Sequence, residues 1–149
     1  MKSRVAVLHG INLGALDRRP AQHYGGLTFT QLEQRIAKFG RELELSCNFF
    51  QSDFEGEFVQ ELHKTSDYAD GILLNPGAWT HYAWSIRDAL EISGLPAIEV
   101  HLSDVDAREA WRHVSVLEDV RAGKVSGKGP DGYQEAMAMI KRIFENEQG

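Results

Sequence analysis

The stretch RRPAQHYGG, residues 18–26, places Arg19 five positions before Tyr24 in a segment that ends in two glycines. A free tyrosine ionises only near pH 10, so it acts as a base at neutral pH only where a cation stabilises its phenolate. Glycine lets the chain fold back, which would bring the two side chains together. The pattern predicts a proton-removing base, with a solvated arginine and a tyrosine that covers apolar surface as the open alternative.

A second group of polar residues suits proton donation. Glu99 and His101 are two positions apart in the run PAIEVH, so they share one face of a strand. A carboxylate in that position would orient the imidazole and raise its basicity. The alternative is a histidine that only bonds a backbone carbonyl. Other polar candidates follow the predicted strand ends: Asn12, Asn75, His81, Ser103 and Arg112.

Five strands that alternate with helices must position these residues. Short β-rich or apolar runs predict strands at 4–8, 42–50, 71–75, 96–101 and 123–127. Apolar residues at helical spacing predict the helices between and after them. The first helix would run from a Thr28–Gln31 capping box to Gly40, and the second would begin at a Ser52–Glu55 box. The third would span Thr80 to about Gly94. The last would begin at Pro130.

This alternation predicts an α/β fold in a single domain, residues 1–149. We expect a flavodoxin-like three-layer sandwich, in which a five-stranded parallel sheet of order 2-1-3-4-5 carries helices on both faces. Ligands bind such sheets beyond the carboxyl ends of the strands, where the strand order reverses. The candidate residues should therefore meet at one edge of the sheet.

Composition narrows the function classes. The net charge is -6 with scattered lysines and arginines, which argues against nucleic acid as a partner. The single cysteine, Cys47, and the lack of a signal segment or a membrane-length apolar run predict a cytoplasmic protein. The six histidines lack a close metal-binding spacing, and the chain has no G-x-S-x-G or P-loop motif.

Five motifs together carry a family resemblance. GINLGALDRRPAQHYGG, FFQSDFEGE, NPGAWTHYAWSIRDAL, EVHLSD and GYQEA stand in the order and spacing of type II 3-dehydroquinate dehydratases, which the chain resembles nearly end to end. The resemblance implies a hydro-lyase without a cofactor that converts 3-dehydroquinate to 3-dehydroshikimate and water through an enolate. It also implies a homo-oligomer, a dodecamer built from trimers, that serves the shikimate pathway of aromatic amino acid biosynthesis or quinate catabolism.

The resemblance implies a catalytic role for each of five residues. Tyr24 would remove the proton from carbon 2, and Arg19 would favour its phenolate. Asn12 would hold a water against the enolate oxygen. His101 would protonate the departing hydroxyl, with Glu99 orienting the imidazole.

The resemblance also implies substrate-binding roles, for Asn75, His81, Asp88, Leu102, Ser103 and Arg112. Of these, Asp88 would reach the site of a neighbouring subunit. His9 and Ile11 depart from the family, which usually has asparagine and proline there. Because of these two differences, the alternative is an enzyme of the same fold that acts on another polyhydroxy carboxylate. A non-catalytic binding protein is a third reading, which would lack Tyr24, Arg19 or His101.

Overall fold

The computed structural model describes residues 1–148 and contains one five-stranded sheet. The strands are β1 (Arg4–His9), β2 (Ser46–Gln51), β3 (Gly71–Asn75), β4 (Ala97–His101) and β5 (Gly123–Ser126). All pairings are parallel, and the order is β2-β1-β3-β4-β5, which confirms the prediction. The strand order reverses between β1 and β3, so a ligand cleft is expected beyond the carboxyl ends of those two strands.

Helices cover both faces of the sheet, as predicted. They are α1 (Ala21–Tyr24), α2 (Phe29–Glu42), α3 (Glu55–Tyr68), α4 (Trp84–Ser93) and α5 (Gly132–Gln148). Alternate residues of β1 point to opposite faces of the sheet. Val5 and Val7 pack with α2 and α5, whereas Ala6 and Leu8 pack with α3 and α4. No helix within residues 1–148 has both the length and the apolar character needed to cross a membrane.

The predicted start of α2 is correct, whereas that of α3 is wrong. Thr28 accepts from the Gln31 amide at 3.1 Å, and Gln31 accepts from the Thr28 amide at 3.0 Å, so the first capping box forms. Ser52 instead donates its hydroxyl to Glu57 at 2.6 Å and accepts from the Phe54 amide at 2.9 Å. The Ser52–Glu55 box therefore does not form, and α3 begins without a side-chain cap.

Thr80 does not begin the third helix. It lies in a 3-10 turn, Gly77–His81, and α4 starts four residues later at Trp84. The Thr80 hydroxyl donates to Glu99 on β4 at 2.5 Å, so it is not available to cap a helix. A contact across the sheet thus replaces the local capping pattern.

Three further boundaries differ from the prediction, at the start of β2, the end of α2 and the start of α5. The run that was expected to begin β2 contains a turn, in which Glu44 adopts a left-handed φ of 59° and the Leu45 amide donates to Gly40 at 2.8 Å. Helix α2 ends at Glu42, two residues beyond its predicted end. Pro130 lies in a 3-10 turn, Gly129–Asp131, that precedes the start of α5.

His9 ends β1 with no exposed surface and lies among aromatic rings. Its ring faces the edge of Phe29 at 4.9 Å, stacks on Phe49 at 6.3 Å and lies 6.4 Å from Tyr133. Neither ring nitrogen has a hydrogen-bond partner within residues 1–148, and Glu33 is 3.7 Å away. Burial disfavours the charged imidazolium and lowers the pKa of His9 to about 3.

We expect His9 to make the fold sensitive to mild acid. Its pKa in the folded chain is lower than the ordinary value of 6.5, so the unfolded chain binds the proton first. The stabilising contribution is complete above about pH 6.5 and is lost as the pH falls towards about 3. Between pH 7 and pH 5 this one group should remove about 2 kcal/mol from the free energy of unfolding.

Urea unfolding at fixed protein concentration tests this expectation. The variant His9→Leu has no titratable ring, so its free energy of unfolding should fall less between pH 7 and pH 5 than that of the wild-type protein. His63→Leu, an exposed site on α3, is the matched control and should keep the wild-type slope. An identical slope in His9→Leu would contradict the expectation.

Candidate active site

A cleft opens beyond the carboxyl ends of β1, β3 and β4. It is lined by nine of the eleven residues predicted from the sequence: Asn12, Arg19, Tyr24, Asn75, His81, His101, Leu102, Ser103 and Arg112. Glu99 lies beneath the cleft, in contact with His101. The remaining residue, Asp88, is exposed on α4 and does not line the cleft.

Tyr24 is held by two arginines. The segment 18–26 contains a one-turn helix, α1, where the sequence favours an irregular loop, and Gly25 ends it with a left-handed φ of 85°. Arg19 donates from Nη2 to the Tyr24 hydroxyl oxygen at 2.5 Å, and its guanidinium lies 4.4 Å from the centre of the ring. The second arginine, Arg108, donates from Nη1 to the same oxygen at 2.8 Å, so the Tyr24 hydroxyl oxygen accepts hydrogen bonds from two cationic side chains.

Arg108 is the residue of the cleft that the sequence reasoning missed. It follows the short turn Val105–Ala107 and donates from Nη1 to Ser103 Oγ at 3.1 Å as well as to Tyr24. It therefore joins the segment after β4 to the segment after β1. Its position four residues before Arg112, just beyond a predicted strand, is the only signal in the sequence, and it does not point to Tyr24.

Glu99 is a fully buried carboxylate with four side-chain donors. Thr80 and His101 each contact Oε2 at 2.5 Å, while Ser115 at 2.8 Å and Arg121 at 2.6 Å contact Oε1. Burial raises the pKa of Glu99, but the hydrogen bond and charge of His101, together with hydrogen bonds from Thr80 and Ser115, outweigh burial and lower the pKa to about 2. The carboxylate is thus ionised at neutral pH.

The ionised carboxylate fixes which nitrogen of His101 faces the cleft. Because an ionised carboxylate only accepts hydrogen bonds, Nε2 of His101 must carry the hydrogen shared with Glu99. Nδ1 is then the ring nitrogen left for a ligand. A proton on Nδ1 can be given to a bound molecule while the Glu99 contact persists.

His81 is oriented differently from His101. Its Nδ1 donates to the Val114 carbonyl at 2.6 Å, which leaves Nε2 as an acceptor, and its ring stacks 6.4 Å from that of His101. Burial lowers the pKa of His81, so this ring is neutral at pH 7 and suits a hydroxyl ligand.

Two asparagines on neighbouring strand ends offer amide groups. Asn12 follows β1 in a left-handed conformation with φ of 71°, and its backbone amide donates to Asp53 at 2.8 Å. The side-chain oxygen Oδ1 of Asn75 accepts from the Gly77 amide at 3.0 Å, so the NH₂ group of the same side chain is the part that can donate to a ligand.

The cleft is cationic although the chain is acidic overall. Arg19, Arg108 and Arg112 all line it, whereas the net charge of the chain is -6. Guanidinium groups bind carboxylates strongly, so the cleft suits a small anionic ligand. Within the described part of the chain, no three His, Cys, Asp or Glu side chains come together as a candidate metal site.

Known proteins are similar to this chain in both sequence and structure. Residues 3–141 match the family profile described as dehydroquinase class II. The 3-dehydroquinate dehydratase of Bacillus licheniformis is 42% identical over 134 residues, which cover 90% of this chain and 92% of that protein. The one from Pelobacter propionicus is 42% identical over 142 residues, 95% of each chain.

A solved structure gives the same result. The type II dehydroquinase from Propionibacterium acnes superposes with a TM-score of 0.88 and 39% identity, over 95% of this chain and 98% of that one. The profile match, the identity and the shared fold all extend over most of the chain, and they confirm the resemblance drawn from the five motifs. This chain therefore belongs to the class II dehydroquinase family.

Proposed function

We propose that this protein is a hydro-lyase that dehydrates 3-dehydroquinate to 3-dehydroshikimate through an enolate. One observation carries the proposal: a tyrosine held by two cations and a histidine backed by a carboxylate line the same cationic cleft. Dehydration of a β-hydroxy ketone needs a base beside the ketone and an acid beside the hydroxyl. The proposal assigns these two tasks to Tyr24 on α1 and His101 at the end of β4.

Proton removal is assigned to Tyr24. Its phenolate takes the proton from carbon 2, and the C–H electron pair moves towards the ketone to give an enolate. The guanidiniums of Arg19 and Arg108 stabilise the phenolate before the transfer. Asn12, which also lines the cleft, holds a water against the enolate oxygen and so stabilises the charge that develops there.

Departure of the hydroxyl is assigned to His101. Its Nδ1–H protonates the hydroxyl on carbon 1, the C–O bond breaks, and the enolate electrons form the carbon–carbon double bond as water leaves. Glu99 orients the ring through Nε2. The proton gained by Tyr24 and the one lost by His101 balance, and solvent exchange restores both residues.

Substrate binding is assigned to the remaining cleft residues. The carboxylate of the substrate would lie against the Leu102 backbone amide and the Ser103 hydroxyl, which Arg108 also contacts. Asn75, His81 and Arg112 would bind the hydroxyls through their free donors and acceptor. Polar groups that face each hydroxyl would reject analogues that lack one.

Purified protein mixed with 3-dehydroquinate tests the proposal. The conjugated enone of the product absorbs in the ultraviolet, so absorbance should rise with time, and the rise should persist in excess EDTA. No rise at high enzyme concentration would reject this substrate. In that case the alternative substrate, another polyhydroxy carboxylate, would be tested by the same absorbance measurement.

We propose that the enzyme acts as a homo-oligomer, a dodecamer built from trimers, in which Asp88 approaches a neighbouring site. Trp84, Asp88 and Ile92 recur every four residues on α4, and all are exposed. Exposed apolar side chains at helical spacing are typical of a buried interface. Light scattering should give a mass many times the chain mass of 16.7 kDa, and a stable, fully active monomer would contradict the assembly.

We propose a cytoplasmic location for the enzyme. Cys47 is a free thiol, and burial raises its pKa to about 11, which disfavours the reactive thiolate. Such a chain needs no oxidising compartment to fold. Recovery of the activity in the periplasmic or extracellular fraction of the native cells would contradict this location.

A further inference from the structure

Arg121 is a mostly buried charge outside the cleft that no step proposed above uses. Its side chain is 15% exposed, and its Nη1 donates to Glu99 Oε1 at 2.6 Å. Arg121 does not line the cleft, so it cannot touch a substrate there. Its only ion pair within residues 1–148 is with the carboxylate that holds His101.

The backbone holds Arg121 in place on both sides. Its amide donates to the carbonyl of the fully buried Leu117 at 2.9 Å, and the amide of Ala122 donates to Ala97 at the start of β4 at 2.7 Å. Ser115, in the same segment, reaches the same Glu99 oxygen. These contacts fix the backbone of Arg121 beside β4 and keep its guanidinium within reach of Glu99.

The placement of Arg121 changes the net charge around His101 before and after His101 loses its proton. While His101 is protonated, the group of Arg121, Glu99 and His101 carries one net positive charge. After His101 gives up its proton, Glu99 and Arg121 remain as a balanced ion pair. Without Arg121, the same step would leave Glu99 as a buried carboxylate with no cation in contact with it, which is strongly unfavourable.

We infer that Arg121 is a positioning residue of the proposed reaction, one that acts through Glu99 to promote proton donation by His101. The inference rests on the proposed function, because it gives His101 the role of acid. It predicts a split between two kinetic constants. Loss of the Arg121 charge should lower kcat, whereas KM should stay within about twofold because Arg121 lies outside the cleft.

Other charged and titratable groups near Glu99 and His101 must be kept constant. They come from the turns before α4 and after β4 and from β5: His81, Arg108, Arg112, His113 and Lys124. None of them contacts Glu99 through a hydrogen bond or ion pair within the described residues. Variants at position 121 leave all of them in place, so a change in pH dependence reports on Arg121.

The experiment compares pH profiles of kcat for several variants. Arg121→Gln and Arg121→Met remove the charge, whereas Arg121→Lys keeps it. In the neutral variants His101 should hold its proton to higher pH, so the basic limb should move up by about half a unit to one unit. The maximal kcat should fall severalfold because the imidazolium becomes a weaker acid. Arg121→Lys should stay close to the wild-type profile.

Arg35→Gln is the matched control. It removes the same single charge from an exposed pair with Asp131 at 3.5 Å, outside the cleft, and should leave the profile unchanged. In a Glu99→Gln background, Arg121→Gln should shift the limb no further, since Arg121 acts through that carboxylate. If Arg121→Gln and Arg121→Met fold and the basic limb of their pH profile does not move, the inference is overturned. It is also overturned if both variants unfold, because Arg121 would then have a structural role.

A titration that needs no activity separates this inference from the proposed function. The imidazole signals of His101, assigned by comparison with His101→Ala, are followed by NMR in the wild-type protein and in Arg121→Gln. An upward shift of the His101 titration in the variant supports the inference even if the wild-type protein fails to dehydrate 3-dehydroquinate. An unchanged titration rejects it even if the wild-type enzyme is active.

Discussion

Tyr24→Phe is expected to lower kcat by about 10²–10⁴-fold while KM changes little. Phenylalanine keeps the ring that Arg19 covers but lacks the oxygen that accepts the carbon-2 proton. The groups proposed to bind the carboxylate and the hydroxyls are untouched, so the substrate should still bind. Steady-state kinetics by ultraviolet absorbance, with ligand titration to measure binding, gives both quantities.

Tyr68→Phe is the control for this result. Its hydroxyl donates to Glu61 at 2.7 Å on α3, away from the cleft, so the variant should retain wild-type turnover. Arg19→Ala should reproduce most of the Tyr24→Phe loss, whereas Arg19→Lys should keep part of the activity because the charge persists. Near-normal turnover in Tyr24→Phe would assign the base to another residue.

His101→Ala is expected to cause a loss of similar size, about 10²–10⁴-fold in kcat, for a different reason. Hydroxide is a poor leaving group, so without an acid the enolate should mostly take its proton back. Glu99→Gln should be milder, since the imidazole remains and an amide can still contact it, although the charge that supports the imidazolium is lost.

The control for this pair is His63→Ala on the exposed side of α3, which should retain wild-type kcat. Thermal unfolding of each variant shows whether the fold survives. A Glu99→Gln enzyme with full activity would mean that the buried carboxylate only stabilises the fold. A fully active His101→Ala enzyme would remove His101 from the reaction.

Local patterns predicted the sheet and most of the cleft. The parallel order follows from alternating strand and helix signals, and that order places residues after β1, β3 and β4 at one edge. The Thr28–Gln31 capping box forms as its local pattern predicts. The roles of the cleft residues remain predictions that the variants above test.

The misplaced start of α4 and the two arginines that the sequence does not predict reflect contacts between distant residues. Thr80 looked like a helix start, but its hydroxyl donates to Glu99, 19 residues away in the sequence. Arg108 contacts Tyr24 across 84 residues, and Arg121 contacts Glu99 across 22. No periodicity or spacing rule connects such pairs, because the sheet brings them together only after it forms.

Exchange of the carbon-2 proton in heavy water tests most directly whether Tyr24 removes that proton and His101 acts only in the later loss of the hydroxyl. Substrate recovered from each variant is examined by proton NMR for loss of the carbon-2 signal, and the product is measured in parallel. We predict that His101→Ala exchanges deuterium into 3-dehydroquinate while forming little product, whereas Tyr24→Phe neither exchanges nor forms product. Loss of exchange in His101→Ala, or exchange at the wild-type rate in Tyr24→Phe, would contradict the account.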